Sequence, residues 1–365
     1  MAEPKTTLWS LEPHTLGKHL VLKGYLDAWF PIMGSSNKRI LFLDGFAGPG
    51  EYETGEIGSP LIALNSFKQH RSRHLVTADV FFVFIEKDPA RADHLKQLID
   101  RLRPDLPANC EVEVECGLFD DTMTSTLDEL DAQKVGLAPA FVMVDPFGVS
   151  GTPMAVLKRL LANSKCEVYV SFMYDFISRF RDTSEFEPHL DALFGCSDWR
   201  EGIPMTDPVE RKEFFYRLYE QQLRKAGANQ VIRFELYEGP RLVYAIFFGT
   251  HSVLGADRMK QAIWKVAPFG DFTFRGTRSS QLGLELLQTN LHPLQVALRR
   301  EFALKGWVSI EDVEYFVASD RTDYHSGQLK KGALAPMEAG RLIEVDDTTR
   351  KRRRTYPEGT RLRFS

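Results

Sequence analysis

The run Leu41-Phe-Leu-Asp-Gly-Phe-Ala-Gly-Pro-Gly50 decides the fold prediction, because its glycines follow directly after a buried-strand pattern. Glycine permits positive φ and a close approach of the backbone, so such a turn can lay main-chain N–H groups against a nucleotide or an amino-acid carboxylate. Asp44 ends the strand, and its carboxylate can accept a hydrogen bond from the amino group of a bound amino acid. An ordinary strand-to-helix turn is the alternative. The ligand-binding residues predicted here are Asp44, Gly45, Phe46, Ala47, Gly48 and Gly50.

From Arg39 onward, strand-sized apolar runs alternate with helix-length amphipathic segments, which is typical of strand-helix-strand units around a parallel sheet. The predicted parallel strands are Ile40–Asp44, Asp79–Glu86, Glu111–Glu115, Ala140–Asp145 and Glu167–Phe172. Val231–Leu236 and Leu242–Phe248 predict a terminal antiparallel hairpin. The predicted helices are Thr15–Ile32, Ser59–Lys68, Pro89–Leu102, Thr122–Gln133, one capped by Thr152 with Pro153 at its first position, and Val209–Lys225. The expected fold class is α/β, with a Rossmann-like sheet.

Acidic residues follow the next two strands. Glu86 ends the second strand, where a carboxylate can accept both ribose hydroxyls of an adenosine, and Lys87 follows it. Glu86 comes 36 residues after Gly50, farther than the roughly 20 residues of the dinucleotide fingerprint, and a solvated strand-end charge is the alternative. After the third strand, Phe119 is placed to stack an adenine ring and Asp120 to accept a hydrogen bond from its amino group.

A second candidate site, Asp145-Pro146-Phe147, ends the fourth strand, where open α/β sheets place reactive groups. Asp145 and the Pro146 carbonyl can accept hydrogen bonds from an attacking NH₂ group, and Phe147 can stack on a planar ring. The run resembles the D-P-P-Y signature of amino-methyltransferases, with Phe147 in place of the second proline and Gly148 in place of the aromatic residue. Metal binding or helix capping by Asp145 is the alternative.

These features together resemble the class I S-adenosylmethionine (SAM)-dependent methyltransferases. More narrowly, three segments resemble the bacterial three-Cys-motif partner proteins, TcmP: His14–Trp29 (H-T-L-G-K-H-L-V-L-K-G-Y-L-D-A-W), Asp44–Leu64 (D-G-F-A-G-P-G-E-Y-E-T-G-E-I-G-S-P-L-I-A-L) and Phe248–Trp264 (F-G-T-H-S-V-L-G-A-D-R-M-K-Q-A-I-W). The resemblance implies a methyltransferase-like fold, SAM as cofactor and a partner protein with a three-cysteine, radical-SAM-like motif.

Weaker candidates surround the predicted site. Tyr174 and Asp175 end the fifth strand and are candidates for the substrate pocket, with aromatic packing as the alternative. His14 and Lys18 share a helix face and are candidates to close over the cofactor or substrate, although a helix face that carries a cation is usually solvated.

The composition shifts along the chain indicate four segments. An N-terminal helical cap (1–38) precedes the methyltransferase-like domain (39–267), which contains a lid or insertion near 179–208. A Gly-, Ser- and Thr-rich linker (268–289) leads to a C-terminal domain (290–365). Its predicted helices, Leu294–Leu304, Ile310–Ala318 and His325–Met337, precede strands Leu342–Val345 and Thr355–Phe364, which indicates a winged helix-turn-helix.

The C-terminal domain is basic and predicts a nucleic-acid contact. Residues 290–365 carry 14 Lys and Arg against 11 Asp and Glu, while residues 1–289 have a net charge of −7. Lys330 and Lys331 lie on the predicted third helix, and Arg352, Arg353 and Arg354 on the predicted wing, which are the elements that meet the groove and the phosphates. A protein-binding winged helix is the alternative.

Composition excludes several classes. The 365 residues are 43% hydrophobic, enough for a packed core, and contain no run of the roughly 18 apolar residues that a membrane-spanning helix needs. No signal peptide is visible, so a cytoplasmic location is expected. The four cysteines form no C-x-x-C pair, and the signatures of zinc proteases, serine hydrolases and P-loop NTPases are missing from the sequence.

The leading hypothesis is a SAM-dependent methyltransferase that acts on a flipped-out base amine of nucleic acid. One rival is a nucleic-acid-binding or assembly protein that uses a methyltransferase-like fold as a scaffold. The other is a metal-dependent nucleic-acid-processing enzyme that uses Asp44, Glu86 and Asp145.

Overall fold

A computed structural model of the chain describes residues 6–238, 241–268, 273–274, 290–346, 348 and 350–365. Within these ranges, one sheet of eight strands has the order β3-β2-β1-β4-β5-β7-β6-β8. Its strands are β1 (Arg39–Asp44), β2 (Asp79–Glu86), β3 (Cys110–Cys116), β4 (Ala140–Val144), β5 (Cys166–Phe172), β6 (Gln230–Glu238), β7 (Arg241–Thr250) and β8 (Thr273–Phe274).

The predicted topology of the sheet is confirmed. β1 to β5 run parallel, β7 is antiparallel to both β5 and β6, and β8 is parallel to β6. Every residue of β4 and β5 is buried, because helices cover both faces of these strands. The chain visits β2 and β3 on one side of β1 and β4 on the other, which creates a topological switch point above β1 and β4.

The helices form a layer on each face of the sheet. One layer contains α1 (Pro13–Ser36), α2 (Ser59–Lys68), α3 (Pro89–Leu102) and α9 (Val253–Val266). The other contains α4 (Phe119–Ala132), α5 (Met154–Leu161), α7 (Glu187–Phe194) and α8 (Pro208–Ala226), and α6 (Tyr174–Phe180) follows β5. None of the described helices is long and apolar enough to cross a membrane.

The N-terminal helix is longer and more deeply buried than its sequence predicts. α1 extends beyond the predicted Thr15–Ile32 at both ends and continues through Pro31. It packs against α2 and α9, so residues on most of its circumference are buried, including His14 and Lys18. The expectation of a solvated cationic face is therefore wrong for Lys18.

Two other helix boundaries differ from the prediction. α4 begins at Phe119 rather than Thr122, with Asp120 and Asp121 in its first turn, where acidic side chains stabilise the helix dipole. The N-cap of α5 is Pro153 with extended backbone angles, so Thr152 does not cap the helix.

The predicted lid or insertion contributes to the core. It lies outside the sheet, as predicted, and contains α7 and two short 3₁₀ turns. The side chains of Leu190, Phe194 and Trp199 are buried against α5 and α8. This part of the segment therefore belongs to the packed core and is not a free lid over the cleft.

The predicted linker is only partly described. Residues 269–272 and 275–289 lie outside the described residues, as do residues 239–240 of the predicted hairpin turn. Between them, Thr273 and Phe274 form β8 at the edge of the sheet, which the Gly-rich composition did not predict. Phe274 is buried against Gly17 of α1, where a Cβ would come within 2.4 Å of the phenyl ring.

The C-terminal residues form a smaller unit around a three-stranded sheet of order β10-β11-β9. Its elements are α10 (His292–Phe302), β9 (Trp307–Ser309), α11 (Ile310–Ala318), a π-helical turn (Leu329–Leu334), α12 (Ala335–Ala339), β10 (Ile343–Val345) and β11 (Arg361–Phe364). The three-residue β9 was not predicted. The predicted helix His325–Met337 is not a continuous α-helix: a 3₁₀ turn, the π-turn and α12 replace it, and Leu291 packs tightly against Gly332.

The smaller unit is docked on α9 by buried polar contacts. The Lys260 ammonium, which is fully buried, donates to the carbonyls of Val317, Ser319 and Thr322 at 2.5, 2.6 and 3.1 Å. One turn away, the Asp257 carboxylate accepts hydrogen bonds from the amide and hydroxyl of Ser326 at 2.6 and 2.8 Å. These bonds fix the position of the C-terminal unit relative to the main sheet.

Candidate active site

A cleft of about 620 Å³ opens at the carboxyl edge of the main sheet, above the switch point. Its walls come from the turn after β1, the segment after β4, α1 and β7. The residues that line the cleft include Lys18, Phe46–Pro49, Tyr52, Ser59, Asp145–Phe147 and Tyr244. Phe46–Pro49 of the first predicted stretch and Asp145–Phe147 of the second line this main cleft, whereas Asp44, Gly45 and Glu86 are not among its lining residues.

The turn after β1 requires glycine at several positions. Gly48 and Gly50 have φ of +63° and +86°, the left-handed region that other residues rarely adopt. A Cβ on Gly45 would lie 2.3 Å from the Phe119 ring, so the backbone can pass this ring only without a side chain. The turn is anchored by hydrogen bonds from Gly45 N to the Met143 carbonyl and from Ala47 N to the Ile85 carbonyl, each 2.9 Å.

Asp44 presents one unsatisfied carboxylate oxygen below this turn. Its side chain is fully buried, and Oδ1 accepts a hydrogen bond from Phe46 N at 3.1 Å, while Oδ2 has no hydrogen-bond partner. Burial raises the pKa of Asp44 from 3.8 to about 6, although the Ser59 hydroxyl and the Phe46 amide act in the opposite direction. A cation beside Oδ2 would satisfy the orphaned oxygen and favour the ionised carboxylate.

The Glu86 carboxylate joins the glycine turn to the end of β2 through hydrogen bonds. Its Oε2 accepts from Gly48 N at 2.9 Å, and its Oε1 accepts from Asp88 N at 2.8 Å. Burial raises the pKa of Glu86, and these two amides partly offset that effect. Each carboxylate oxygen has a second lone pair, so Glu86 retains the capacity to accept hydrogen bonds from a diol.

A side pocket of about 370 Å³ adjoins the main cleft, because Phe46, Pro146 and Phe147 line both. Lys87 lines this pocket from the end of β2, and Phe176 and Phe186 line it from the segment after β5. Four phenylalanines are among the residues that line the side pocket, which lies where the first, second and fourth strands end.

The two residues predicted to bind adenine lie outside both volumes. Phe119 is buried beneath Gly45 with its ring 5.7 Å from that of Phe46, so its contact is with the glycine turn. Asp120 lies in the first turn of α4, and its Oδ1 accepts from Asp121 N. Neither lines the main cleft or the side pocket.

Asp145 forms an ion pair with Lys18 inside the main cleft. Lys18 Nζ donates to Asp145 Oδ2, and the two side chains are 6% and 20% exposed. Burial alone would raise the pKa of Asp145, but the charge and hydrogen bond of Lys18 outweigh it and hold this pKa below its ordinary value. Asp145 Oδ1 is buried and has no direct hydrogen-bond partner, and the nearby Ser171 hydroxyl also lowers the pKa of this carboxyl.

Residues that the sequence reasoning missed complete the wall around this ion pair. His19, Tyr52 and Tyr244 line the cleft, and Lys18 Nζ lies 5.6 Å from the centre of the Tyr244 ring. Burial, with the Lys18 charge, lowers the pKa of His14 to about 4 and that of His19 to about 3, so both imidazoles are neutral at pH 7. Since these side chains come from α1, β7 and the turn before α2, no local sequence signal groups them.

The N-terminal segment before α1 closes one side of the cleft. The Trp9 indole lies 5.9 Å, centroid to centroid, from the rings of both Tyr52 and Phe147. Its carbonyl accepts from Glu53 N at 2.9 Å, and the Arg91 guanidinium lies 5.1 Å from its ring. The sequence reasoning missed Trp9 because the residue precedes every predicted element.

Tyr174 and Asp175 do not line the main cleft. Tyr174 is buried with its ring 5.7 Å from that of Tyr216, so the packing alternative describes it. Asp175 forms ion pairs with Arg179 and Arg241 at 2.8 and 2.6 Å. Met173, one residue earlier, does line the cleft.

The predicted basic residues lie on the C-terminal unit. Lys330 pairs with Glu314 at 2.6 Å, and Lys331 is exposed. Arg352, Arg353 and Arg354 are exposed on the segment that joins β10 to β11.

The carboxylates Asp44, Glu86 and Asp145 do not form a metal site in the described ranges, where no three His, Cys, Asp or Glu side chains are grouped closely enough to hold an ion.

Comparisons with known proteins bear on the fold. No family model matches the sequence, and no curated protein matches it. The resemblance to TcmP proteins therefore gains no support from these comparisons.

Solved structures with a similar chain path include several methyltransferases. An O-methyltransferase from Bacillus cereus in complex with SAH is 17% identical, with 62% of this chain and 80% of that chain covered and a TM-score of 0.32. A precorrin-6y C5,15-methyltransferase from Geobacter metallireducens is 9% identical, with 62% and 87% covered and a TM-score of 0.28. The METTL16 MTase domain is 12% identical, with 63% and 66% covered and a TM-score of 0.30. Similarities this distant do not assign a reaction.

Proposed function

We propose that the protein is a SAM-dependent methyltransferase. The observation that carries the proposal is that Phe46–Pro49 of the glycine turn and Asp145-Pro146-Phe147 after β4 line one cleft. Both stand at the topological switch point, where open α/β sheets bind their ligands.

The residues present fit an adenosylated amino acid. Asp44 Oδ2 is a buried anionic acceptor for an amino group, and the glycine turn offers backbone at close range. Glu86 has free lone pairs at the end of β2, and the side pocket of about 370 Å³ offers the rings of Phe147 and Phe176 to a purine. We infer that Asp44 would hold the methionine amine, Glu86 the ribose and the side pocket the adenine.

SAM supplies an electrophilic methyl group on a sulfonium. The chain's contribution is to hold the acceptor in line with that methyl, an orientation that can provide several kcal/mol of the barrier reduction. Asp145 Oδ1 and the Pro146 carbonyl are the acceptors for the N–H bonds of an incoming amine, and Phe147 is the stacking surface. With SAM bound, the amine nitrogen would form the new N–C bond as the C–S bond breaks to release S-adenosylhomocysteine, and the surplus proton would pass from nitrogen to water.

We propose a base amine of nucleic acid as the methyl acceptor. Support comes from the C-terminal unit, whose element order of α10, β9, α11, a third helical segment, β10 and β11 fits a winged helix. Its exposed Arg352–Arg354 segment fits a phosphate contact. The proposal includes a bacterial setting and a three-cysteine-motif partner, for which the support is the sequence resemblance alone.

The Lys18–Asp145 ion pair favours a second candidate, transfer to a hydroxyl oxygen. With an amine acceptor, the buried Lys18 ammonium competes with the incoming amine for the Asp145 carboxylate. With a hydroxyl acceptor, the same ammonium stabilises the oxygen as its negative charge develops, and Asp145 positions Lys18. Fragmentation mass spectrometry of the methylated nucleosides separates the two, because a methyl group on a base amine stays with the base fragment and one on a ribose hydroxyl stays with the sugar fragment.

Calorimetry tests the cofactor half of the proposal. The wild-type protein should bind SAM and S-adenosylhomocysteine, and Glu86→Gln should weaken binding about 10-fold, the effect of losing a charged hydrogen-bond acceptor. Gly48→Arg should abolish binding, because its backbone has positive φ and the side chain would enter the cleft. Glu111→Gln, on the exposed edge strand β3, is the matched control. A wild-type protein that binds neither ligand refutes the proposal.

A further inference from the structure

The solvent face of the C-terminal three-stranded sheet carries an exposed tryptophan. Trp307 on β9 is 39% exposed, whereas Trp29, Trp199 and Trp264 are buried. Val308, next to Trp307 in β9, is buried beneath the sheet, because successive side chains of a strand point to opposite faces. Trp307 therefore lies outside the core of this unit, with 39% of its surface exposed to solvent.

Two arginines flank this tryptophan. Arg363 of β11 is the register partner of Trp307, and Arg361 lies one step along the same face. Their guanidinium carbons lie 5.5 and 6.0 Å from the centre of the Trp307 ring, within the range of a cation–π contact. Glu344 of β10 pairs with Arg363 and is the acidic residue in this row.

A basic segment adjoins the same face. Lys351–Arg354 are four consecutive exposed cations in the connection between β10 and β11, and this connection enters β11 at Arg361. Arg350, by contrast, is nearly buried and pairs with Glu338, so it belongs to the framework that holds the connection. The exposed cations therefore continue from the connection onto the sheet face.

We infer that this face binds single-stranded nucleic acid, with an unpaired base stacked on Trp307 and the phosphates along Arg361, Arg363 and the Lys351–Arg354 segment. An exposed aromatic ring beside a basic track is the combination that single strands require, because every base has a face that can stack and every linkage carries a charge. Duplex bases have no free faces, and an acidic peptide gains nothing from an exposed indole. This inference rests on the nucleic-acid acceptor of the proposed function.

Fluorescence anisotropy of the full chain tests the inference. The probes are labelled single-stranded DNA and RNA of about 12 nucleotides, the corresponding DNA duplex, and poly-glutamate. Trp307→Ala should weaken single-strand binding about 5- to 100-fold, the range measured for loss of one stacked base, and leave duplex binding unchanged. Trp307→Phe should retain most of the affinity. Tyr315→Ala, which removes another exposed aromatic side chain of this unit, is the control.

The outcomes distinguish a failure of base stacking on Trp307 from a failure of the proposed nucleic-acid acceptor. Single-strand binding that survives Trp307→Ala, or duplex binding that falls equally, overturns the stacking role and leaves nucleic-acid binding intact. Poly-glutamate that binds as tightly as the oligonucleotides overturns the choice of partner. A wild-type protein that binds no oligonucleotide refutes the nucleic-acid acceptor itself, and calorimetry with SAM then remains a separate test of the cofactor.

Discussion

Lys18 and Asp145 are 127 residues apart in the sequence, and their side chains form an ion pair in the main cleft. The ammonium is nearly buried, so it depends on this carboxylate for compensation of its charge. The pair joins α1 to the end of β4 and places a cation at the proposed site of methyl transfer.

Replacing the carboxylate should affect chemistry more than cofactor binding. Asp145→Asn should lower the transfer of tritiated methyl groups from SAM to bulk RNA or DNA about 100-fold or more, since the acceptor is no longer oriented. The affinity for S-adenosylhomocysteine should change little. Asp175→Asn is the control, because Asp175 pairs with Arg179 and Arg241 away from the main cleft. Full activity in Asp145→Asn would favour the scaffold alternative.

The same pair should show energetic coupling in a double-mutant cycle. Asp145→Ala leaves the Lys18 ammonium without its partner and should lower the free energy of unfolding by about 1–3 kcal/mol, less than for a fully buried pair because Asp145 is partly exposed. Lys18→Met combined with Asp145→Ala should recover part of this loss. Chemical denaturation of the four proteins measures the coupling, and additive effects would contradict it.

Cofactor affinity should depend on pH through Asp44. The pKa of this carboxyl in the free protein is about 6, and a bound amino group would favour its ionised form. Binding of SAM should therefore weaken as pH falls below 6, by about tenfold per pH unit. Calorimetry between pH 5 and 8 measures this effect, and Asp44→Asn should remove the dependence. An affinity that is independent of pH in the wild-type protein would argue against a contact with Asp44.

The same shift predicts a change in stability. Because the folded pKa of Asp44 lies above its ordinary 3.8, this group's contribution to stability is present below about pH 4 and is lost as pH rises through about 6. Without ligand, Asp44→Asn should therefore increase the free energy of unfolding at pH 7 by about 1–3 kcal/mol relative to its effect at pH 4. Denaturation at the two pH values provides the measurement, and equal effects at both would contradict it.

The glycine turn should not tolerate a methyl group at Gly45. In Gly45→Ala the new Cβ meets the Phe119 ring, so the turn or the ring must move. We expect the free energy of unfolding to fall by about 1–3 kcal/mol and the binding of S-adenosylhomocysteine to weaken. Gly136→Ala, where a Cβ meets nothing within 4 Å, is the control. Adding Phe119→Leu should recover part of the stability. A Gly45→Ala protein with unchanged thermal unfolding would contradict this packing.

Lys260 should be essential for docking of the C-terminal unit. Lys260→Met removes the ammonium donor from three buried carbonyls, of which that of Val317 keeps the Thr322 hydroxyl, so we expect the free energy of unfolding to fall by about 3 kcal/mol or more. Hydrogen exchange should accelerate in residues 317–326, where these carbonyls and Ser326 lie. Lys265→Met, at an exposed position on the same helix, is the control. Equal exchange in the wild type and both variants would show that the unit is held by other contacts.

The sequence predicts the main sheet well because its signals are local. The apolar runs at β1, β2, β4 and β5, and the turn signal before β7, correspond to buried strands in the expected order. The C-terminal unit is harder to predict: β9 has three residues, and the third helical segment contains a π-turn where Leu291 meets Gly332. These features depend on packing between distant parts of the chain.

The residues of the candidate site also fall into two groups, those predicted from local sequence signals and those that depend on packing between distant parts of the chain. Asp44, Glu86 and Asp145 were identified because strand ends in a parallel sheet share one edge. The hydrogen bond from Gly48 N to Glu86 and the burial of Phe119 depend on side-chain directions that spacing does not encode. Lys18 was a candidate site residue with a solvated helix face as the alternative, and its pairing with Asp145 depends on the packing of α1 between α2 and α9, which the helix sequence does not encode.

The buried contacts at Lys260 and Asp257 have a consequence for how a long substrate is positioned. If the C-terminal unit holds a strand while the cleft modifies one of its bases, the distance between the held and the modified nucleotides is constant, because the two parts cannot slide past each other. Methylation would then occur at a fixed number of nucleotides from the segment that the C-terminal unit holds.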